Sequence, residues 1–233
     1  MGIKRNIAYS SILTMGSHIC ALLTYPYVSR KLEVTGIGIY DFVDSIINYL
    51  ILFSMLGISA CGIREIATKR QDKEALSRTF SSILLFNLFT TLVAIIALLI
   101  AMHTVEMLFQ YRTLFYIGIC KLLLNTFLIE WFYTGMEDFA YIAKRNLAIK
   151  VLYVFCIFLF IKDKNDCTQY YIITVSSVAL NAIINIIYCK KYVKKRRIEQ
   201  TVKIHSKHTF NSLHNARRFK FYFFIWNSVD NCF

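Results

Sequence analysis

Turn-forming residues are scarce in this sequence, whose 233 residues include one proline, Pro26, and eight glycines. A membrane β-barrel needs a turn after each short strand and dilutes its apolar runs with alternating polar residues, so this composition disfavours one. Charged residues are also scarce at 18%, whereas 57% are hydrophobic. Soluble proteins contain about 45–50% apolar residues. A water-soluble fold could not bury the excess, and α-helices are the expected membrane-spanning element.

Motifs for chemistry are lacking as well. The seven cysteines are dispersed and no CxxC pair occurs, which is unlike a disulfide framework or a zinc site. A nucleophile elbow, a zincin pair, a phosphate loop and a dinucleotide fingerprint are all missing. We therefore expect no enzyme activity, no cofactor and no metal site.

Six stretches are apolar enough to cross a bilayer core, which takes about 20 helical residues. They are residues 7–28, 39–63, 80–102, 113–134, 145–161 and 169–189. The fifth is the weakest, because Lys150 must snorkel for the stretch to reach across. The sequence thus predicts an all-α, polytopic membrane helix bundle with about six transmembrane helices in residues 1–197.

Lysine and arginine are distributed unevenly over the connections. With the N-terminus inside, the inner segments hold sixteen of them and the outer segments five. Cationic loops favour the cytoplasmic side, so we expect a cytoplasmic N-terminus. The inner set includes Lys144, Arg145 and Lys150, around the start of the fifth span. The basic run 190–197 follows a span directly, which favours contact with anionic membrane lipids over nucleic acid.

The last segment, 198–233, differs in composition from the rest. It is polar and basic until a short aromatic cluster, FKFYFFIW. This cluster is too short to span a bilayer. It is consistent with an interfacial segment, with the start of an interrupted seventh helix, or with a disordered tail.

Ionisable residues at membrane depth are costly, so each one is a candidate for a site. On the second predicted span, Asp41, Asp44 and Asn48 stand at i, i+3 and i+7 and share one helix face. They are candidates for lining a cavity or for coupling transport to a cation. The alternative is that Asp41 and Asp44 lie near the outer interface and stay hydrated.

Two cations are candidates for binding an anionic substrate. Lys121 is the deepest cation of the fourth span, with Asn125 one turn later on the same face, so a cavity-facing role competes with simple snorkelling. Glu130 lies about half a turn away and is not expected to pair with Lys121. Arg30 stands just past Pro26 at the outer end of the first span, where a plain interfacial role is the alternative.

Several segments together resemble a known family. They are Asn6, Ser10 and Thr14 at the start, the stretch YPYVSRKLEVTGIGIYDFVDSIINYLILFSMLGISACGIREIATKR, and EWFYTGMEDFAYIAKRN from Glu130 to Asn146. This pattern is similar to the polysaccharide and O-antigen flippases of the multidrug/oligosaccharidyl-lipid/polysaccharide exporter superfamily. The resemblance covers about residues 1–195.

The resemblance implies a fold and an activity. Such proteins have two six-helix lobes around a cavity that opens alternately to either side of the bacterial cytoplasmic membrane. They move oligosaccharide linked to undecaprenyl diphosphate, and Arg30 is the cation that the family pattern favours for the diphosphate. The chain would then supply the N-terminal lobe only.

The family pattern continues into a second lobe, whereas this sequence changes character after residue 197. We therefore expect a truncated flippase, with a frameshift near residue 205 as one origin. A second copy or a separately encoded lobe would complete the cavity. The alternatives are a cation-coupled exporter of small molecules from the same superfamily, with Asp41 and Asp44 as coupling carboxylates, and an inactive fragment.

Overall fold

The computed structural model describes residues 3–193, with side chains from residue 15 onward except Ser17. This part of the chain is built from helices without strands, which confirms the all-α expectation. The helices are α1 (Ile3–Ser54), α2 (Ile58–Lys69), α3 (Lys73–Thr104), α4 (Glu106–Gln110), α5 (Arg112–Thr126), α6 (Glu130–Gly135), α7 (Phe139–Phe160) and α8 (Cys167–Cys189). The tail 198–233 and the end of the basic run, 194–197, lie outside the described residues.

Four helical segments of the described chain are long and apolar enough to cross a membrane, fewer than the six expected. They are His18–Ser54, Lys73–Thr104, Arg112–Gly135 and Cys167–Cys189. The first predicted span falls within α1, and the second begins in α1 and continues into α2. The fifth corresponds to α7, whose cations Lys144, Arg145 and Lys150 interrupt its apolar character. The third and sixth predicted spans match α3 and α8 closely.

Helix α1 consists of two arms that meet at Glu33, the one residue with non-helical dihedral angles inside it (φ 56°, ψ 176°). Along the first arm, Gly16 approaches Leu147 and the Tyr27 hydroxyl donates to the Ile161 carbonyl of α7. Along the second arm, the Gly36 carbonyl accepts from Cys167 at the start of α8. Because α7 and α8 are antiparallel neighbours, the arms follow opposite directions, as the two predicted spans require.

The second and fourth predicted spans do not run unbroken. The second, 39–63, is interrupted at Met55–Gly57, where Gly57 adopts a left-handed conformation (φ 74°) and α2 begins. The fourth, 113–134, is interrupted at 127–129, where Ile129 has φ 41°. Hydropathy averaged over a span does not register such a change in backbone direction, which is why both predictions missed it.

The pair α2 and α6 is packed through glycines. A Cβ atom on Gly62 would lie 2.8 Å from Trp131 Cε3, and one on Gly135 would lie 2.8 Å from Ile66 Cβ. The aromatic rings of Phe80 and Trp131 stack with centroids 5.8 Å apart and join α3 to this pair. Close approach of small residues is how helices associate in lipid, where burial of apolar surface gives little driving force.

Large apolar side chains also cover much of the outer surface. Ile96 and Ile100 of α3 and Val151 and Phe155 of α7 are all more than half exposed. Such a surface suits hydrocarbon and would be unfavourable in water. Together with the four apolar segments, it identifies a multi-pass membrane protein.

Candidate functional site

Three of the predicted site residues form one polar cluster between α1 and α5. The Lys121 ammonium donates to Asp44 Oδ1 at 2.6 Å and to Asn48 Oδ1 at 3.0 Å. The Asn48 amide in turn donates to Asp44 Oδ2 at 3.0 Å. Each side chain therefore bonds to the other two. We refer to Asp44, Asn48 and Lys121 as the lysine triad.

The helix geometry explains how the triad forms. Asp44 and Asn48 are one turn apart on the second arm of α1, so their side chains lie one above the other. Gly118, one turn before Lys121, allows α5 to lie directly against Ile47 of α1. A long helical side chain leans toward the N-terminus of its helix, which directs Lys121 back to the level of Asp44.

The triad lies deep in its span and at the border of an open surface. Lys121 is about 14 Å along α5 from Arg112 at 1.5 Å per residue, close to the middle of a core about 30 Å thick. The side chains of Lys121 and Asp44 are 11% and 14% exposed. Asn48 and Asp41 beside them are exposed. Helices α8 and α3 thus cover the pair on their sides. It is reachable from the side that the described chain leaves uncovered.

The structure does not bring the other predicted site residues into the triad. Asp41 lies one turn outward on α1 and Arg30 lies on the first arm; both are exposed, and within residues 3–193 neither forms an ion pair. The Asn125 amide turns toward the helix break and contacts Met55 Sδ at 3.0 Å. Lys121 does not snorkel, since its ammonium is held by Asp44. Glu130 does not pair with Lys121, as expected, and its partner is another residue.

That residue is Arg145, which the sequence analysis placed among the loop cations. This placement is wrong: Arg145 lies within α7 and its side chain is 3% exposed. It forms an ion pair with Glu130 at 2.6 Å and also donates to Asn146 and Asn185. A cation buried this deeply needs such partners to offset its lost hydration. Counting charge by position in the sequence could not show that the partners come from α6 and α8.

Asn185 connects this network to the broken fourth span. Its amide donates to the Leu128 carbonyl, which lies in the break and has no helical partner there. The backbone carbonyl of Asn185 accepts from the Tyr133 hydroxyl at 2.6 Å. Asn185 thereby stabilises the strained turn at Ile129, a β-branched residue with positive φ. Asn185 thus joins α8 to α6 and to the break that precedes it.

Aromatic hydroxyls connect the C-terminal end of α8 to Asp138. Tyr188 and Tyr192 both donate to Asp138 Oδ2, at 2.9 and 3.0 Å. Burial and the bonds to Tyr188 and Asp138 raise the pKa of Tyr192 far above its usual value. Its phenol therefore stays a donor across the physiological range. Arg145 and the Asp138 tyrosines together hold α6, α7 and α8 as one inner unit.

The described residues contain no group of three or more histidine, cysteine, aspartate or glutamate side chains that could hold a metal ion. The lysine triad instead has a geometry in which a second anion could replace Asp44 at the Lys121 ammonium.

Comparison with known proteins assigns the chain to a family. Residues 3–226 match the family described as polysaccharide biosynthesis protein. The chain belongs to this family. It is also 22% identical over 170 residues to a protein named "Putative O-antigen transporter" from Escherichia coli (strain K12). The resemblance to polysaccharide and O-antigen flippases is thereby confirmed at the level of the family.

The match to that relative covers 71% of this chain and 40% of the relative. The chain thus spans about two fifths of the length of the curated relative that it matches. No solved structure matches the chain. The family match over residues 3–226 includes the helices of the lysine triad and of the Arg145 network.

Proposed function

We propose that this member of the polysaccharide biosynthesis protein family is a flippase. It moves oligosaccharide linked to undecaprenyl diphosphate from the inner to the outer leaflet of a bacterial cytoplasmic membrane. It acts without covalent chemistry, and its N-terminus is cytoplasmic. The observation that carries the proposal is the lysine triad: a cation at mid-membrane depth, beside an open polar surface, in a protein of this family.

The chemistry of the headgroup explains the need for such a cation. A diphosphate loses its hydration when it enters the membrane, and this is unfavourable unless positive charge replaces the water. An ammonium group at the middle of the span supplies that charge where the barrier is highest. Lys121 is therefore the residue that we expect to contact the diphosphate. Asn125, one turn further along α5, would contact the sugar or phosphate oxygens next to it.

Arg30 has a separate role in this proposal. It is exposed near the outer end of the first arm of α1, so it would receive the diphosphate after Lys121 releases it. Asp41 and Asn48 would line the wall between the two cations. Opposite this wall we expect a second set of helices, in a further lobe or a second copy of the chain. Rocking of the two halves would expose the cavity to each side in turn.

The inner connections would hold the protein against the cytoplasmic leaflet. Lys69, Arg70 and Lys73 lie around the α2–α3 connection, and Lys190 and Lys191 follow α8. Each basic residue near an anionic membrane surface contributes about 1 kcal/mol of attraction. Anionic lipids are thus the expected partners of this face.

The test is complementation in the bacterial host. The gene is deleted and restored, in its full natural length, as wild type, Lys121→Met or Arg30→Ala at matched protein levels. Surface glycan and lipid-linked oligosaccharide retained inside are both measured. We expect Lys121→Met to reduce export at least about tenfold, equivalent to about 1.4 kcal/mol of lost binding. Lys144→Met removes an exposed cation of α7 and should leave export unchanged.

Two outcomes would overturn the proposal. Surface glycan that persists at the wild-type level in the deletion strain, without retained intermediate, would rule out a flippase role. Normal export by both Lys121→Met and Arg30→Ala would remove these cations from the transport path. Proton-linked efflux of a small molecule that disappears in Asp41→Asn, with export intact, would support the cation-coupled exporter in its place.

A further inference from the structure

The lysine triad presents Lys121 to any ligand in an already occupied state. Asp44 uses both carboxylate oxygens within the triad, one toward Lys121 and the other toward Asn48. A headgroup phosphate can bind the ammonium closely only by displacing this carboxylate or by sharing the cation with it. Either route is opposed by the negative charge of Asp44, 2.6 Å from the ammonium.

Stability alone does not account for such a pair. A largely buried ion pair seldom stabilises a fold more than well-packed apolar residues of the same volume would. The surroundings offer ample apolar packing, since Val43 and Ile47 beside Asp44 and Leu122 beside Lys121 are buried. The exposed Asn48 and Asp41 at the edge of the triad indicate contact with an open polar region. The pair is therefore placed where a ligand could exchange with one of its members.

The groups that face Asp44 limit what can replace it. Lys121 is the cation in contact with it, while the phenols of Tyr40 on α1 and Tyr171 on α8 lie within electrostatic range. Asp41 adds a second negative charge one turn away on α1. A ligand must therefore bind Lys121 more strongly than Asp44 does, while the charge of Asp41 lies nearby. A diphosphate has two charged phosphates and many oxygens, whereas a membrane phosphodiester has a single negative charge.

We propose that Asp44 is a specificity-determining residue: as the resident counter-ion of Lys121, it lowers the affinity of this site for every anion, so that weakly bound phospholipid headgroups do not occupy Lys121 and a more strongly bound diphosphate does. This inference rests on the proposed function. Bulk phospholipid surrounds the protein, so a bare Lys121 at the cavity wall would be occupied by the wrong anion most of the time. Discrimination by an unfavourable contact with the competitor is a general way to obtain specificity.

The experiment measures lipid binding to the purified full-length protein. Dissociation constants are obtained in neutral-lipid nanodiscs for two probes, undecaprenyl diphosphate and phosphatidylglycerol. The variants are Asp44→Asn, Lys121→Met and their combination. Asp163→Asn serves as the control, because it removes the same charge at an exposed position away from the triad. Asp163 lies in the α7–α8 connection, whose Lys164 carbonyl approaches Gly36 near the outer end of the second arm.

We expect Asp44→Asn to tighten the binding of both probes at least about tenfold, equivalent to about 1.4 kcal/mol, so that phosphatidylglycerol also occupies the site at membrane concentrations. The gain should disappear in the double variant, since Lys121 would be its origin. Asp163→Asn should change neither constant by more than about twofold, because its charge is solvated and screened. Asn48→Ala is a milder variant at an exposed position and should tighten the binding of both probes by less.

Three results would overturn the inference. They are unchanged dissociation constants in both Asp44→Asn and Asn48→Ala, an equal effect of Asp163→Asn, and a gain that persists without Lys121. In each case diphosphate binding by the wild type would leave the proposed function standing. Failure of the wild type to bind undecaprenyl diphosphate at all would refute the proposed function, and the role of Asp44 with it.

Discussion

Gly118 and Ile47 are in such close contact that a Cβ atom on residue 118 would lie 2.6 Å from Ile47 Cγ1. This contact sets the distance between α5 and the second arm of α1. The lysine triad spans the same two helices one turn away. The ion pair thus depends on a glycine that carries no chemistry of its own.

Gly118→Ala should therefore lower stability and weaken the triad. The added methyl group would meet both Ile47 and the Tyr171 hydroxyl, and overpacking of this kind costs about 1–3 kcal/mol. Gly38→Ala is the matched control, because a Cβ atom there has no neighbour within 4 Å. Alanine in a helix is favoured over glycine by up to about 1 kcal/mol. Thermal midpoints in detergent should fall for the first variant only; equal midpoints would contradict the close contact.

Arg145→Lys tests the buried network between α6, α7 and α8. Lysine keeps the charge but cannot reach Glu130, Asn146 and Asn185 together, because it lacks the planar fork of arginine. We expect a loss of about 1–3 kcal/mol, the range for leaving buried hydrogen-bonding groups unsatisfied. Lys144→Arg changes the neighbouring exposed residue and should have no effect. A stable Arg145→Lys protein with unaltered proteolysis near residue 128 would show that Asn185 holds the break without help.

Glu33→Gly should raise stability. The dihedral angles of Glu33 lie at the edge of a region that is populated almost entirely by glycine, and such a conformation costs about 1–3 kcal/mol in other residues. Val34→Gly is the control, since Val34 is helical and 89% exposed, and glycine there costs about 0.5–1 kcal/mol. The midpoints of the two variants should move in opposite directions. A decrease in both would mean that the two arms are joined in another way.

Orientation in the membrane can be tested with two cysteines in a cysteine-free protein. Gln71→Cys lies in the α2–α3 connection and Asn165→Cys in the α7–α8 connection, and both positions are exposed. The distribution of lysine and arginine predicts that an impermeant maleimide added to intact cells labels residue 165 only. Residue 71 should react after permeabilisation. The reverse pattern would place the N-terminus outside.

The sequence was sufficient to predict the class of fold, because the length and apolarity of a helix in lipid are fixed by the bilayer. It also placed Asp44 and Asn48 on one face, since their spacing within a helix determines this. Spacing says nothing about which helices are neighbours. The pairing of Lys121 with Asp44 therefore required the packed structure, in which Gly118 brings α5 against α1.

Arg145 shows the opposite difficulty. A charge flanked by Lys144 and Asn146 has the local composition of a loop, and hydropathy places it there. In the structure it is enclosed because Glu130 and Asn185 approach from α6 and α8. The motif beginning at Glu130 was noted as part of a family pattern. Its physical role, as counter-ion of a buried arginine, emerges only from contacts that are distant in sequence.

The two helix breaks lie at one level, since Asn125 beside the second break contacts Met55 in the first. Inward of that level, α2 and α6 interlock at Gly62 with Trp131 and at Gly135 with Ile66. Closely packed surfaces resist sliding and transmit displacement. A displacement of α2 would consequently carry α6 with it as one body, directly beside the two helix breaks.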